Sequence, residues 1–520
     1  MERRVAIIGA GTSGLVACKY LLEFGFKPIV FEADDGVGGL WRHTMESTKL
    51  QNNKKMYHFI DFPWPSSVTE DNPSHKQVID YLDSYAQHFG LIPYIRFNSK
   101  VIDIDYVGKS SEEMESWELW GGNGRPFCSK GTWHVSVQDT KNFSIEVHKA
   151  EFVILCIGKH SGFPNIPEFP PGQGPEVFNG RVMHSMDYSN LDSESAVELI
   201  KRKRVTVVGS QKSGLDIAAE CANANGITYP CTIIQRTAHW FVPDFNIWGV
   251  IAGYLCLSRF AELLVHKPGE SFLLCLLATL LSPLRWGISK LIETALKWKL
   301  PLKKYGLVPN HSFFQDLSSC LIGVFPDNFF DKLEEGSILI KKSQSFRFCK
   351  EGIIIDGEAK PLETDVVIFA TGFKGDQKIK SLFKSPIFQN YIIGPTTSTV
   401  PLFRQIIHPR IPQLAIIGYA EGLTNIFASE MKSLWLGHFL DGSFEVPSIR
   451  EMEKDVKLWE ENLKQYGGRY YWKSCIANCA IWYHDQLCKD MNINPRRKKG
   501  FFSEWFVPYG ILDYVALTPK

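Results

Sequence analysis

Two glycine-rich turns carry the strongest chemical signal in the chain. The first is Gly9-Ala10-Gly11-Thr12-Ser13-Gly14, entered from the apolar run Val5-Ala6-Ile7-Ile8. In a GxGxxG pattern, Gly9 permits the tight turn and Gly11 lets a pyrophosphate approach the backbone. Gly14 then lets helix and strand pack closely. Free N–H groups and the helix dipole favour phosphate at such a helix N-terminus. A second apolar run, Pro28-Ile29-Val30-Phe31, ends in Glu32, about 20 residues downstream, where a carboxylate can accept hydrogen bonds from ribose hydroxyls. That charge repels a 2′-phosphate, so this unit is expected to hold FAD or NAD rather than NADP.

The second turn, Gly209-Ser210-Gln211-Lys212-Ser213-Gly214, follows Val205-Thr206-Val207-Val208. Its next strand, Thr232-Ile233-Ile234-Gln235, ends in Arg236-Thr237, where the first unit has its acid. An arginine there suits a 2′-phosphate, so this unit is expected to bind NADP(H). Gln211 stands at the second glycine position. Its side chain is expected to crowd the pyrophosphate and weaken NADP retention, with Lys212 and the hydroxyls of Ser210 and Ser213 as compensating contacts. A relic unit without nucleotide is the alternative.

Other residues point to the same chemistry. In Gly36-Val37-Gly38-Gly39-Leu40-Trp41, Gly39 and Leu40 can pass close to a cofactor and Trp41 can pack beside it. Lys49 to Lys54 is amide-rich, with Gln51 and Asn52 at its centre. No cysteine lies between Cys18 and Cys128, which excludes the redox cysteine pair of disulfide reductases. The 12 cysteines are scattered, and Cys475 and Cys479 lack zinc-ligand spacing. No metal site is expected, and the cysteines read as free buried thiols in a reducing compartment. A net charge of +1 suggests no nucleic-acid partner. Met1-Glu2-Arg3-Arg4 runs straight into the first strand, so no signal peptide is expected.

These turns need parallel sheets to position them. The expected fold is α/β with two Rossmann-like dinucleotide-binding units in a chain of 520 residues. The pattern predicts a helix over 72–89, paired strands at Val101–Tyr106 and Trp133–Val137, and a buried strand from Phe152. The segments 247–265 and 272–281 are apolar but interrupted, the second being followed by Pro283 and Arg285. They read as buried helices, with a membrane-surface or tunnel-lining patch as the rival. The expected division is an FAD-binding part over 1–168, an NADPH-binding domain over 169–330 with an apolar helical insertion at 243–305, and a second FAD-binding part over 331–520. Asp365 to Phe373 is expected to return to the flavin unit.

Between the two turns lies Phe178-Asn179-Gly180-Arg181-Val182-Met183-His184-Ser185-Met186-Asp187-Tyr188. It fits FxGxxxHxxxY, with Phe178, Gly180, His184 and Tyr188 at the fixed positions. Ile368-Phe369-Ala370-Thr371-Gly372-Phe373 resembles an ATG segment, with Thr371 and Gly372 at its turn. On these motifs the chain resembles the flavin-containing monooxygenases, class B flavoprotein monooxygenases. Phe62-Pro63-Trp64-Pro65, Lys159 to Pro167, Pro309-Asn310-His311-Ser312-Phe313 and Pro508-Tyr509-Gly510 look like the plant branch. Within it the chain is similar to the enzymes that N-hydroxylate pipecolic acid in plant defence, which share Gln51 and a non-glycine at 211.

The resemblance implies an NADPH-dependent monooxygenase with FAD that inserts one oxygen of O2 through a flavin 4a-hydroperoxide into a small amine. Gln51 or Asn52 would hold the peroxide. A sulfide substrate or Baeyer–Villiger insertion uses the same flavin chemistry, and a flavin-binding protein without productive NADPH use is the alternative of a different class. His184 reads as a structural histidine rather than a base. The expected location is cytoplasmic, with peripheral contact to the endoplasmic reticulum membrane surface as an option.

Overall fold

Val5–Ile8 and Val205–Val208 are buried at every residue, as strands covered on both faces must be. The computed structural model describes residues 3–127, 130–244, 254, 257–393 and 399–517. In chain order its strands are β1 (Val5–Ile8), β2 (Ile29–Phe31), β3 (Ile95–Arg96), β4 (Ser99–Val107), β5 (Thr132–Asp139), β6 (Ile145–Ala150), β7 (Phe152–Leu155), β8 (Arg181–His184), β9 (Val205–Val208), β10 (Cys231–Gln235), β11 (Phe241–Val242), β12 (Gly323–Val324), β13 (Ile338–Lys342), β14 (Phe346–Cys349), β15 (Gly352–Ile355), β16 (Leu362–Glu363), β17 (Val366–Phe369) and β18 (Leu414–Ile416). The helices that shape the site are α1 (Thr12–Glu23), α2 (His75–His88), α3 (Lys212–Asn225), α4 (Phe272–Lys299), α5 (Asn425–Asp441) and α6 (Ala480–Asp490).

Two five-stranded parallel sheets carry the two glycine turns. The first has the order β18-β7-β1-β2-β3 and the second β13-β10-β9-β17-β8. All strands of the second sheet fall between β7 and β18 in sequence, so the second unit is inserted into the first. α2 lies within the predicted span. Ser74 closes its N-terminus in a capping box with Gln77. β4 and β5 pair antiparallel, with Val101 opposite Val137 and Tyr106 opposite Trp133. The chain crosses between the units twice, and the two crossings lie against each other. Asn165 donates its N–H to the Gly372 carbonyl at 2.8 Å, Lys374 donates to Phe163 at 2.8 Å, and Pro164 and Phe373 form an antiparallel bridge.

Three expectations change. β13 pairs with β10, and β17 lies between β9 and β8. The second unit therefore extends past 331 to Phe369, and the return to the first unit begins at the Ala370 turn rather than at Asp365. An apolar run buried on both faces fills whichever parallel slot is open to it, and its own sequence does not name the sheet.

Of the apolar insertion, residues 245–253, 255 and 256 lie outside the described residues. The rest is not buried as expected. α4 runs through Pro283 as one helix of 28 residues. It turns Ala278, Ser289, Glu293 and Leu296 inward and leaves Phe272, Leu280, Leu291 and Trp298 exposed by 84%, 66%, 72% and 91%. A composition read without its packing face cannot separate these two fates.

The cysteines are not all free thiols: Cys320 and Cys475 form a disulfide that joins the segment before β12 to the C-terminal region. The separation of 155 residues hides this pair from any local spacing rule.

Burial pushes the His408 ring down to about 3, and the Arg410 charge acts in the same direction. The ring stacks on Tyr391 and accepts the Arg410 N–H at 3.0 Å. The folded chain thus keeps the ring neutral, while the unfolded chain protonates it below about pH 6.5. The unfolded state binds the extra proton, so stability is full above that pH and falls as pH drops toward the folded value. Between about pH 7 and about pH 5, wild type is expected to lose about 2 kcal/mol more than His408→Asn, which keeps an acceptor for Arg410. Urea midpoints at the two pH values measure the difference.

Candidate active site between the two nucleotide units

The glycines of each turn do separate work. A Cβ on Gly14 would lie 1.8 Å from the Gly9 carbonyl oxygen, and one on Gly214 would lie 2.2 Å from that of Gly209. Only glycine lets α1 and α3 press so closely on β1 and β9. A Cβ on Gly11 would meet nothing nearer than Gly39 Cα at 3.5 Å. That is ordinary contact distance, so the fold itself does not require glycine there. Ser74, Ser271 and Ser448 each cap a helix with a side-chain oxygen, whereas α1 and α3 begin at Gly11 and Gln211 with no side-chain cap. Their first N–H groups are left for an anion.

Glu32 is buried and accepts hydrogen bonds from the Ala10 N–H at 2.5 Å and the Asp34 N–H at 3.0 Å. Burial raises its pKa, and the two backbone donors oppose the rise. Gly38 donates to the Ala10 carbonyl at 3.2 Å, bringing Gly39 and Leu40 beside the turn. Trp41 donates its ring N–H to the Tyr57 hydroxyl at 3.2 Å. Thr12 begins α1, and Ser13 Oγ lies 3.1 Å from Ser429 Oγ. A carboxylate keeps acceptor capacity after two bonds. The loop therefore fits FAD.

In the second unit, Gln235 donates to Ser210 Oγ at 3.2 Å, and Arg469 donates to Thr237 Oγ1 at 2.7 Å. Arg236 is exposed at the rim, and Ser213 is exposed beside Gly214. Lys212 is paired with Asp216, so it is not the unengaged compensating cation expected. The Gln211 amide nitrogen is buried without a partner, and the residue lines the cleft. A buried donor of this kind suits a pyrophosphate oxygen. The residues fit NADP.

A cleft of 1320 Å³ is lined by the second loop, through Gly209, Ser210, Gln211, Lys212 and Ser213, and by Leu40 and Trp41, which follow the Gly38 contact to the first. Gln51 and Asn52 stand on its wall. Gln51 accepts the Val324 N–H through Oε1 at 3.3 Å, and its N–H2 group is the donor it can offer the cleft. Asn52 donates to the Leu423 carbonyl at 2.8 Å, so part of its donor capacity is used. The structure brings these two amides to the same cleft as the second glycine turn and as Leu40 and Trp41. It places the FxGxxxHxxxY residues in packing roles instead. Phe178 packs on Phe348 with ring centroids 5.7 Å apart, and a Cβ on Gly180 would strike its ring. Buried His184 accepts the Met186 N–H through Nδ1 at 3.1 Å as a helix cap, and burial lowers its pKa. Tyr188 donates to Glu220 at 2.8 Å. Thr371 donates to the Asn165 carbonyl in the paired crossings.

Two clusters were missed in the sequence. Lys159 contacts the partly buried Glu421 carboxylate at 2.7 Å, with His160 at 3.2 Å and Lys473 at 3.9 Å. The lysine charges hold Glu421 well below the usual carboxylate range against burial. His239 and His311 both approach Asp316 Oδ1, at 3.0 and 2.7 Å, while the Trp240 N–H takes its other oxygen. The only signal for either lay in the phrases Lys159 to Pro167 and Pro309 to Phe313, whose long-range partners no spacing reveals.

Residues 2–504 match the flavin-binding monooxygenase-like family. The chain belongs to that family. It is similar to "Probable flavin-containing monooxygenase 1" of Arabidopsis thaliana, at 42% identity over 98% of this chain and 96% of the relative. Among solved structures it resembles S-allyl-L-cysteine S-oxygenase from Allium sativum, with a TM-score of 0.58 and 17% identity over 95% of this chain and 89% of the other. It also resembles cyclohexanone monooxygenase bound to epsilon-caprolactone, with a TM-score of 0.65 and 15% identity over 94% and 97%. The protein is thus a flavoprotein monooxygenase that uses FAD and NADPH and acts on a small molecule with O2.

The glycine geometry predicts two different failures. Gly11→Val folds but is purified colourless, because its side chain takes the pyrophosphate space. Gly14→Ala loses folded protein, because its Cβ meets a carbonyl. Flavin absorbance per mole of protein, read beside circular dichroism, checks both; a yellow Gly11→Val protein overturns the assignment.

Proposed function

We propose that this flavin monooxygenase N-hydroxylates a small amine that carries a carboxylate, an amino acid of the pipecolic type, in plant defence. One observation carries the reading. Lys159 and Lys473 share the single carboxylate of Glu421 at the cleft wall, where Gly422 and Leu423 lead to Asn52. The surplus positive charge suits a substrate carboxylate. It offers nothing to an uncharged ketone. A sulfur-containing amino acid meets the same cation, so S-oxygenation is the second reading.

Bound FAD, reduced by NADPH, supplies the chemistry: it activates O2 and delivers one oxygen atom, the other leaving as water. The chain supplies placement. The open N-termini of α1 and α3 hold the two pyrophosphates. Arg236 is placed to read a 2′-phosphate, and Gln211 offers its buried amide beside it. Gln51 directs an N–H2 donor into the cleft near the reacting atoms. Trp41 and Tyr57 brace the wall and help exclude water. An amine must reach the oxygen donor neutral, since its lone pair attacks.

With NADPH and O2, pipecolic acid is expected to give a product heavier by one oxygen on nitrogen, and Lys473→Met to raise its KM about tenfold with little change in kcat. Mass spectrometry across pipecolic acid, S-methylcysteine and cyclohexanone decides. Oxygenation of the ketone alone overturns the proposal, and oxygenation of S-methylcysteine alone selects the second reading.

We also propose that α4 lies on a lipid surface. Its inner side is docked along its length, through Arg285 to the Leu264 carbonyl at 2.9 Å and through Glu293 to the Phe313 N–H at 3.1 Å. A helix held this way lies flat rather than spans. Its outer side presents Leu273, Leu280, Trp286 and Leu291, with Lys297 and Lys299 in its last turn. The protein is expected to sediment with vesicles of phosphatidylcholine and phosphatidylserine, and Leu280→Glu with Leu291→Glu to abolish this at unchanged flavin content. Equal sedimentation of both proteins defeats the idea.

A further inference from the structure

A second cavity, of 540 Å³, lies behind the wall that carries Asn52. Phe427 and Ala428 of α5, His484 of α6 and the C-terminal residues Tyr509 and Tyr514 form much of its lining. Gly422 and Leu423 belong to the lining of both cavities. The partition between them is thus the segment pinned by the bond from Asn52 to the Leu423 carbonyl, at 2.8 Å, and by the Gly422 N–H to Asn425 Oδ1, at 2.8 Å.

The lining is mostly apolar apart from the exposed Lys55 and Asp71, and two buried polar side chains in it have unmet capacity. His484 is 5% exposed and Tyr514 is 1% exposed, and neither the His484 Nε2 nor the Tyr514 hydroxyl has a partner among the described residues. Buried polar atoms are almost always satisfied, and leaving two beside one cavity is costly unless something enters to meet them. The rings around them form an aromatic corner. Phe427 lies 4.7 Å from His484 and 4.9 Å from Tyr514, and the last two are 5.9 Å apart, centroid to centroid. Burial pushes His484 down to about 3, so the ring is neutral and offers a lone pair or an N–H rather than a charge.

We infer that this cavity is a second small-molecule site, for an uncharged, largely apolar and flat ligand that carries both a hydrogen-bond donor and an acceptor, held by His484 Nε2 and the Tyr514 hydroxyl. Cavities of this size, apolar with a few convergent polar groups, are where proteins hold small ligands. Two sources share this chemistry: an uncharged oxidisable compound, distinct from the amino acid of the proposed reaction, or an effector that is never oxygenated.

The test uses oxindole, a flat lactam with one N–H and one carbonyl, titrated by calorimetry into the FAD-loaded full chain without NADPH. Binding of the probe is thereby independent of the proposed reaction, whose failure would show only in turnover. Saturable binding of one oxindole per chain is expected. Tyr514→Phe, which keeps the ring, and His484→Phe are each expected to weaken it about tenfold. Ala428→Phe, which fills the cavity, is expected to abolish it. Flavin content and circular dichroism confirm the fold of each variant. No saturable binding to wild type, or equal affinity in all three variants, overturns the inference and leaves a water-filled cavity. The source is read in turnover with NADPH and O2: an oxygenated product of the bound probe that Ala428→Phe loses assigns the cavity to an uncharged second substrate, and saturable binding without any oxygenated probe assigns it to an effector.

Discussion

The structure depends on how closely a helix can lie against a strand. At Gly14 and at Gly214 the helix backbone approaches the preceding turn so nearly that no side chain fits between them. That contact fixes the direction of α1 and α3 and leaves the first N–H groups of each without a side-chain cap. Each sheet exists, in effect, to hold one such contact rigid. At the tip of the neighbouring strand the two units differ in charge, Glu32 against Arg236. Buried Glu32 is bound back onto its own glycine turn, whereas Arg236 stands free at the rim. One end is pre-formed and closed, the other open, as suits a cofactor that stays and one that comes and goes.

Charge is concentrated where chain segments distant in sequence must meet. Glu421 gathers Lys159, His160 and Lys473, and Asp316 gathers His239, His311 and the Trp240 backbone. Breaking a buried pair leaves an uncompensated charge, which is far worse than never having had the pair. Such clusters therefore specify which segments touch more than they add to stability. Lys432 departs from this pattern. Its ammonium is buried in α5, its hydrogen bond goes to the Ala420 carbonyl at 3.4 Å, and burial pushes its pKa down to about 7.

What could be read from the sequence was local. The strand, turn and following helix of each unit, with Glu32 and Arg236, sit within short windows whose chemistry is self-contained. The helix His75–His88 and the β4–β5 pairing announce themselves by period. What could not be read was partnership at a distance. Val366–Phe369 looks the same whichever sheet takes it. Cys320 finds Cys475 across 155 residues. α4 has the composition of a core helix and the exposure of a surface one. The burial of the Gln211 amide, without a partner among the described residues, is likewise invisible in the sequence. In each case the deciding fact is a neighbour, and neighbours are set by the tertiary fold.

The two crossings between the units are bound to each other as a short antiparallel ribbon, through Phe163, Asn165, Gly372 and Lys374. A single tether would let the inserted unit swing in any direction. Two separate tethers would lock it. The ribbon acts as one tether, and the Cys320–Cys475 disulfide, between the inserted unit and the C-terminal region, is the second. The angle between the two glycine turns is therefore held by two separate links rather than left to a single hinge.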